Sequence, residues 1–149
     1  MNKNGEIIII EDDEDDQFLL EEVFTVLNYP NKRKYFPDGV AALDYLHEES
    51  SSPFIILSDI NLPKLNGMEL RNKLHTDAEL KLKCIPYLFF STALNQQIVI
   101  DAYSTSAQGF FVKQTSFEDM LDTIKVIMEY WTKCAAPNNF QSSGQVKQD

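Results

Sequence analysis

The segment that decides the fold reads Pro53-Phe-Ile-Ile-Leu-Ser-Asp-Ile-Asn-Leu-Pro-Lys-Leu-Asn-Gly-Met-Glu-Leu70. Its unbroken apolar run, Phe54 to Leu57, predicts a strand that is buried on both faces, as the central strands of parallel sheets are. A carboxylate, Asp59, follows the run, and a loop with Pro63 and Gly67 precedes the next helical pattern. Because ligands of open α/β sheets bind beyond the carboxyl ends of the strands, Asp59 is expected at the mouth of a crevice.

Three further apolar runs and a short segment that ends in a turn signal predict four more strands, and amphipathic segments alternate with them. The strands are expected at Ile7–Ile10, Lys34–Phe36, Tyr87–Phe90 and Phe110–Val112. Apolar residues at helical spacing predict five helices, and the last and longest has a stripe composed of Phe117, Met120, Leu121, Ile124, Ile127, Met128 and Trp131. Strands that alternate with helices favour an α/β fold with a parallel, helix-covered sheet.

The domain organisation follows from length and composition. The chain has 149 residues, enough for one domain with a hydrophobic core. Residues 1–133 are predicted to form this domain, and Leu80 and Leu82 are expected to pack in the loop after the third helix. The polar composition of residues 134–149 predicts a disordered tail.

Charge and cysteine content exclude several classes of protein. The net charge of −10 argues against a nucleic-acid surface, which requires a basic patch. No apolar run approaches the roughly 20 residues of a membrane span, and no signal peptide is recognisable, so a cytoplasmic location is expected. Cys84 and Cys134 lack the spacing of a metal site and are expected to be free thiols.

Polar side chains stand at the end of each predicted central strand. Glu11 and Asp12 follow the first strand, Asp59 the third, Ser91 the fourth and Lys113 the fifth. Crowded carboxylates suit Mg²⁺, while an ammonium and a hydroxyl can hold phosphoryl oxygens. Asp59 is then placed as the nucleophile that forms an aspartyl-phosphate.

Three other acids of the run after the first strand have a simpler explanation. Glu14, Asp15 and Asp16 suit the start of a helix, because its N-terminus favours negative charge.

Five motifs together resemble those of a two-component response regulator receiver domain, over about residues 5 to 133. They are Ile-Glu-Asp-Asp from Ile10, Ser-Asp-Ile-Asn-Leu-Pro from Ser58, Asn-Gly-Met-Glu-Leu from Asn66, Ser91 at the end of the fourth strand, and Gly-Phe-Phe-Val-Lys from Gly109. The resemblance implies a flavodoxin-like, doubly wound sheet with strand order 2-1-3-4-5.

The resemblance also implies a function, namely that Asp59 accepts a phosphoryl group from a phosphohistidine of a sensor histidine kinase. Mg²⁺, or alternatively Mn²⁺, is expected on Glu11, Asp12, Asp59 and the backbone carbonyl of Asn61. Lys113 and Ser91 are expected to contact the phosphoryl group. Ser91 and Phe110 occupy the positions of the family's switch residues.

A subgroup is suggested by the acidic run, by the stretch Asp38 to Leu46 and by the lack of an output domain. These features look like single-domain receivers that pair with phytochrome kinases. Too little chain follows the fifth helix for a DNA-binding domain, so output through protein–protein contacts is expected. The protein is thus expected to be a phosphoacceptor in signalling rather than an enzyme with a small-molecule substrate.

Two residues depart from the family pattern. Gln114 follows Lys113, where the family usually has a proline, often after a cis bond. A trans Lys113–Gln114 bond is expected, because a non-proline cis bond costs about 2.5–4 kcal/mol. Phe110 lacks the hydroxyl of the commoner tyrosine. Thr92 is a rival to Ser91 as the phosphate-binding hydroxyl, and register with the family favours Ser91.

A homodimer is also expected. Val126 and Tyr130 lie outside the main stripe of the fifth predicted helix, and Tyr103 on the fourth can join them in one apolar patch. Such a patch on a soluble protein usually marks a protein contact. Receivers of the resembling subgroup pair through the fourth helix, fifth strand and fifth helix, so this face is the expected interface.

Three other functions remain as alternatives. A haloacid-dehalogenase-like phosphatase also forms an aspartyl-phosphate, but it needs a second acid where this chain has Asn61. A flavodoxin-like FMN carrier needs a phosphate-binding turn where this chain has six acids. A receiver-like module that binds partners without phosphorylation would normally have lost an acid or the lysine.

Overall fold

Parallel strands form a sheet in the computed structural model, which describes residues 1–92 and 95–137, and their order across the sheet, numbered along the chain, is 2-1-3-4-5. This is the order that the resemblance implied, and that prediction is confirmed. The strands are β1 (Ile7–Ile10), β2 (Arg33–Phe36), β3 (Ile55–Ser58), β4 (Tyr87–Ser91) and β5 (Gly109–Val112).

Helices connect the strands and cover both faces of the sheet. They are α1 (Glu14–Leu27), α2 (Gly39–His47), α3 (Gly67–Thr76), α4 (Ala78–Lys81), α5 (Gln96–Ser104) and α6 (Phe117–Lys133). The fourth and fifth predicted helices therefore correspond to α5 and α6. Within the described residues, no helix is both long and apolar enough to span a membrane.

The short helix α4 was not predicted, so the expectation of five helices was wrong. Asp77 ends α3 and also caps α4, since its side chain accepts hydrogen bonds from the backbone N–H groups of Glu79 and Leu80, both at 2.9 Å. Leu80 is buried as expected, but Leu82 is 80% exposed and does not pack. A four-residue helix has too few residues for an apolar period to reveal it.

Alternation along the buried strands divides the core into two layers. Ile7 and Ile9 of β1 pack with apolar residues of α1 and α6, whereas Ile8 and Ile10 pack with residues of α2, α3, α4 and α5. Each face of the sheet is thus covered, which explains why the central strands are continuous apolar runs.

Strand β5 shows the same alternation with two aromatic rings. Phe111 belongs to the α1 and α6 layer and stacks on Phe90, with ring centroids 6.0 Å apart. Phe110 belongs to the other layer, with its ring 6.2 Å from that of Phe89.

The chain continues beyond α6 with residues that pack. Ala136 is only 2% exposed and joins the core layer of α1 and α6, unlike the frayed segment expected from Cys134 onward. Residues 138–149 lie outside the described residues, so disorder of the tail stays a prediction.

The start of α3 is held against the end of β3. Asn66 and Glu69 form a capping box, in which each side chain bonds to the other residue's backbone N–H. Gly67 donates its N–H to the carbonyl of Ile60 at 2.8 Å. A Cβ at Gly67 would lie 2.1 Å from the carbonyl oxygen of Asp59, so the approach of the helix to Asp59 requires glycine.

We therefore expect Gly67→Ala to lower the free energy of unfolding by about 1–3 kcal/mol, as overpacking against a backbone atom does. Gly109→Ala is the matched control, because its added Cβ would meet the side-chain Cδ2 of Leu88 at 3.2 Å, which can move. Urea denaturation measures both. Equal losses in the two variants would contradict the constraint at Gly67.

Candidate functional site

The carboxyl ends of the central strands meet at one edge of the sheet. Backbone hydrogen bonds extend the strand pairing there. The Asp59 N–H donates to the backbone carbonyl of Ile10 at 3.0 Å, and the Lys113 N–H donates to the backbone carbonyl of Ser91 at 3.0 Å. Similarly, Glu11 N–H donates to Phe36 at 2.9 Å. The predicted site residues at the ends of β1, β3 and β5 are therefore brought together.

The Lys113 ammonium lies at the centre of this edge. Its Nζ donates to Oδ2 of Asp16 at 2.8 Å, to Oδ2 of Asp59 at 3.0 Å and to Oε1 of Glu11. An ammonium has three N–H donors, and each has a carboxylate partner here. Lys113 thereby connects the ends of β1, β3 and β5 with the first turn of α1.

Burial and ion pairing act in opposite directions on these groups. Glu11 is 2% exposed, and burial raises its pKa to about 7 despite the opposing hydrogen bond from Lys113. Burial by itself would lower the pKa of Lys113, but hydrogen bonds to Asp16, Glu11 and Asp59 outweigh it and hold that pKa above its usual value. Lys113 is therefore charged at neutral pH.

Asp59 is fixed by both of its carboxylate oxygens. Oδ1 accepts a hydrogen bond from the Ile60 N–H at 2.7 Å, while Oδ2 faces Lys113. Its backbone carbonyl accepts the Ser58 hydroxyl at 2.8 Å. The half-buried carboxylate is therefore held in one orientation at the crevice.

Three carboxylates could hold a divalent cation. A carboxylate oxygen from each of Glu11, Asp12 and Asp59 lies within 4.8 Å of the other two. Glu11 is buried, Asp59 is half-buried and Asp12 is exposed. Hard cations such as Mg²⁺ prefer oxygen ligands and retain several waters, which this open arrangement permits. Asn61, the fourth predicted ligand, lies exposed in the loop two residues after Asp59.

A cavity of about 270 Å³ opens beside these groups. Its polar wall contains Glu11, Asp16, Asp59, Thr92 and Lys113, and its apolar wall is formed by residues of β1, β3, β4, α1 and α6. Another cavity, of about 310 Å³, lies by α3 and α4 and is lined by none of the predicted site residues.

The two candidate hydroxyls occupy different places. Ser91 is fully buried as the last residue of β4, whereas Thr92 is exposed and lines the cavity. The opposite placement follows from the alternation of side chains along a strand. The structure thus brings Thr92, rather than Ser91, to the cavity wall in the state described.

Other predictions at this edge have mixed outcomes. The Lys113–Gln114 bond is trans, as predicted.

The prediction for Asp16 was incomplete. It lies in the first turn of α1 as expected, but its carboxylate pairs with Lys113. No local pattern marks this pair, because the two residues are 97 positions apart.

The family model of the response regulator receiver domain matches residues 7–125. The probable methanogenesis regulatory protein FilR2 of Methanothrix harundinacea is 33% identical over 129 residues, which cover 84% of this chain and 82% of FilR2. The phosphorylated cyanobacterial phytochrome response regulator RcpA has a similar structure, with a TM-score of 0.80 and 28% identity over 89% of this chain and 97% of RcpA.

A further relative is the response regulator Rcp1 of Synechocystis. It is 28% identical over 130 residues, which cover 84% of this chain and 87% of Rcp1. Its Mn²⁺-bound crystal structure has a TM-score of 0.76, covering 89% of this chain and 99% of that structure. Together with the strand order and the polar residues at the strand ends, these matches show that the chain belongs to the response regulator receiver domain family.

Proposed function

We propose that Asp59 accepts a phosphoryl group from a phosphohistidine of a sensor histidine kinase, and that the phosphorylated chain signals through protein contacts. The observation that carries the proposal is the oriented, half-buried Asp59 carboxylate, which lies against the Lys113 ammonium and beside two further carboxylates. A carboxylate in this setting is a nucleophile with a neighbouring cation for the incoming charge.

The transfer forms one bond and breaks another. A carboxylate oxygen of Asp59 attacks phosphorus, the phosphorus–nitrogen bond of the phosphohistidine breaks, and its electron pair returns to the imidazole. Lys113 neutralises charge on the phosphoryl oxygens. A Mg²⁺ ion held by Glu11, Asp12, Asp59 and the Asn61 carbonyl would supply the remaining charge neutralisation.

The Mn²⁺-bound form of Rcp1 supports a divalent cation in this chain too. The carboxylates also argue for it, because Glu11, Asp12, Asp16 and Asp59 carry more negative charge than Lys113 balances. An incoming phosphoryl group would be repelled without a further cation. Mg²⁺ is the proposed physiological ion, with Mn²⁺ as a substitute of the same ligand preference.

The switch roles of Ser91 and Phe110 also remain proposals. Ser91 is fully buried and Phe110 half-buried, and Phe110 packs near Phe89, which is two residues before Ser91 on β4. The Ser91 hydroxyl is proposed to contact the phosphoryl group by analogy with the family. Thr92 at the cavity wall is the alternative hydroxyl.

The similarity to RcpA, a phytochrome response regulator, makes a phytochrome kinase the first partner to test.

A cytoplasmic location is proposed on the basis of the two cysteines. Cys84 and Cys134 are free thiols, and a reducing compartment keeps such thiols unpaired.

A second copy of the chain is the proposed partner for the face formed by α5, β5 and α6. Tyr103 is 51% exposed, Val126 62% and Tyr130 61%, so large apolar groups face solvent on both helices. A two-fold contact through this face would be isologous, with each copy presenting the same residues. Lys113 directly follows β5, so phosphoryl capture could change the geometry of the pair.

Asp59→Asn should gain no phosphoryl group, because the amide is not a nucleophile of this kind. Intact mass spectrometry after incubation with Mg²⁺ and a small acyl phosphate measures the gain. Asp122→Asn, on an exposed position of α6, is the control and should be phosphorylated like the unaltered chain. Phosphoryl mass on Asp59→Asn would refute the assignment.

Asp12→Ala should weaken Mg²⁺ binding at least about tenfold. Loss of a group that only supports a metal ligand already weakens binding by about that factor, and Asp12 is proposed as a ligand itself. Isothermal titration calorimetry gives the affinity directly. Glu14→Ala removes the same charge from the exposed first turn of α1 and should change the affinity much less. Equal affinities for Asp12→Ala and the unaltered chain would rule out Asp12 as a ligand.

A Val126→Asp, Tyr130→Asp variant should sediment as a monomer under conditions in which the unaltered chain is a dimer. Burying carboxylates in an apolar contact is costly unless they are paired. Val26→Asp on α1 is the control, because Val26 is exposed to the same extent, 61%, on another face. If the unaltered chain is a monomer, or if the double variant remains a dimer, this face is not the interface.

A further inference from the structure

Asp16 lies in the first turn of α1, but its carboxylate does not form the capping bond that is common at this position. Asp13 caps α1, because its side chain accepts the N–H groups of Asp15 and Asp16 at 2.8 and 3.2 Å. Asp16, three residues after the cap, is where a capping-box acid would bond back to the N–H of the cap residue. Here the Asp13 N–H donates instead to Glu11 Oε2 at 3.1 Å.

Helix α3 provides an internal comparison. Glu69 occupies the same position relative to its cap, and its Oε1 accepts the Asn66 N–H at 3.0 Å. Asp16 has no such bond, because Glu11 already holds the N–H of its cap. Its Oδ2 is directed to Lys113 at 2.8 Å.

The three partners of Lys113 are not equivalent. Glu11 and Asp59 belong to the carboxylate cluster that could hold a cation, whereas Asp16 does not. When Glu11 and Asp59 serve a divalent cation and a phosphoryl group, their oxygens are less available to the ammonium. Asp16 then remains as the carboxylate that can retain Lys113 at the site.

We propose that Asp16 is a positioning residue for Lys113. It retains one N–H of the ammonium and leaves the other two free for phosphoryl oxygens, and this role rests on the proposed phosphoryl transfer to Asp59. It also gives Lys113 a partner outside the cation site, so that the lysine competes less for Glu11 and Asp59.

A test must separate the effect of losing the Asp16 charge from the effect of losing its contact with Lys113, because both weaken cation binding. Asp16→Asn removes one negative charge near the cation site, which alone weakens cation binding. Asp15→Asn removes the same charge one residue away in the same exposed turn, where the structure gives no contact with Lys113. A difference between the two variants therefore isolates the contact with Lys113.

The experiment measures phosphorylation by an acyl phosphate over a range of concentrations, together with Mg²⁺ affinity by calorimetry. Asp16→Asn should lower the maximal rate about tenfold, as loss of a supporting partner does, and should weaken Mg²⁺ binding. Asp15→Asn should remain near the unaltered chain in both. Asp16→Glu, which restores the carboxylate, should recover most of the rate.

Two results would overturn the role of Asp16. One is an Asp16→Asn protein that matches Asp15→Asn in both maximal rate and affinity. The other is a loss of thermal stability in Asp16→Asn with unchanged rate and affinity, which would indicate a purely structural role. If the unaltered chain gains no phosphoryl group, the proposed function fails, and the affinity comparison alone then decides the role of Asp16.

Discussion

One ammonium group, that of Lys113, connects the elements that form the candidate site at the carboxyl edge of the sheet. It bonds to carboxylates from the ends of β1 and β3 and from the first turn of α1. Its positive charge offsets the repulsion between these carboxylates, because like charges in a partly buried site destabilise one another. Removing Lys113 would leave three carboxylates without their common partner, and an uncompensated charge in a buried site is destabilising.

The sheet topology explains why sequence reasoning located the main members of the site. In a parallel sheet all carboxyl ends meet at one edge, so Glu11, Asp59 and Lys113 were recognisable from their position after apolar runs. Family resemblance added the strand order, which local periodicity does not encode. The long α6 was also predictable, because a helix of this length repeats its apolar stripe over several turns.

Other features lay beyond what the apolar patterns and the family motifs could predict. Asp16 was assigned only to the start of its helix, because its partner Lys113 is 97 positions away in the chain. The short α4 depends on one cap, Asp77, that serves two helices. The choice between Ser91 and Thr92 at the cavity depended on where the alternation of β4 ends, a boundary that sequence places only to within a residue or two.

The alternating aromatic rings of β5 have a mechanical consequence. Phe110 and Phe111 anchor one strand in opposite layers of the core, and Lys113 follows only two residues after Phe111. Since packed cores resist continuous deformation, a pull on Lys113 along the strand axis cannot be absorbed by one layer alone. A displacement of Lys113 along β5 would therefore affect the packing on both faces of the sheet, through Phe111 on one face and Phe110 on the other.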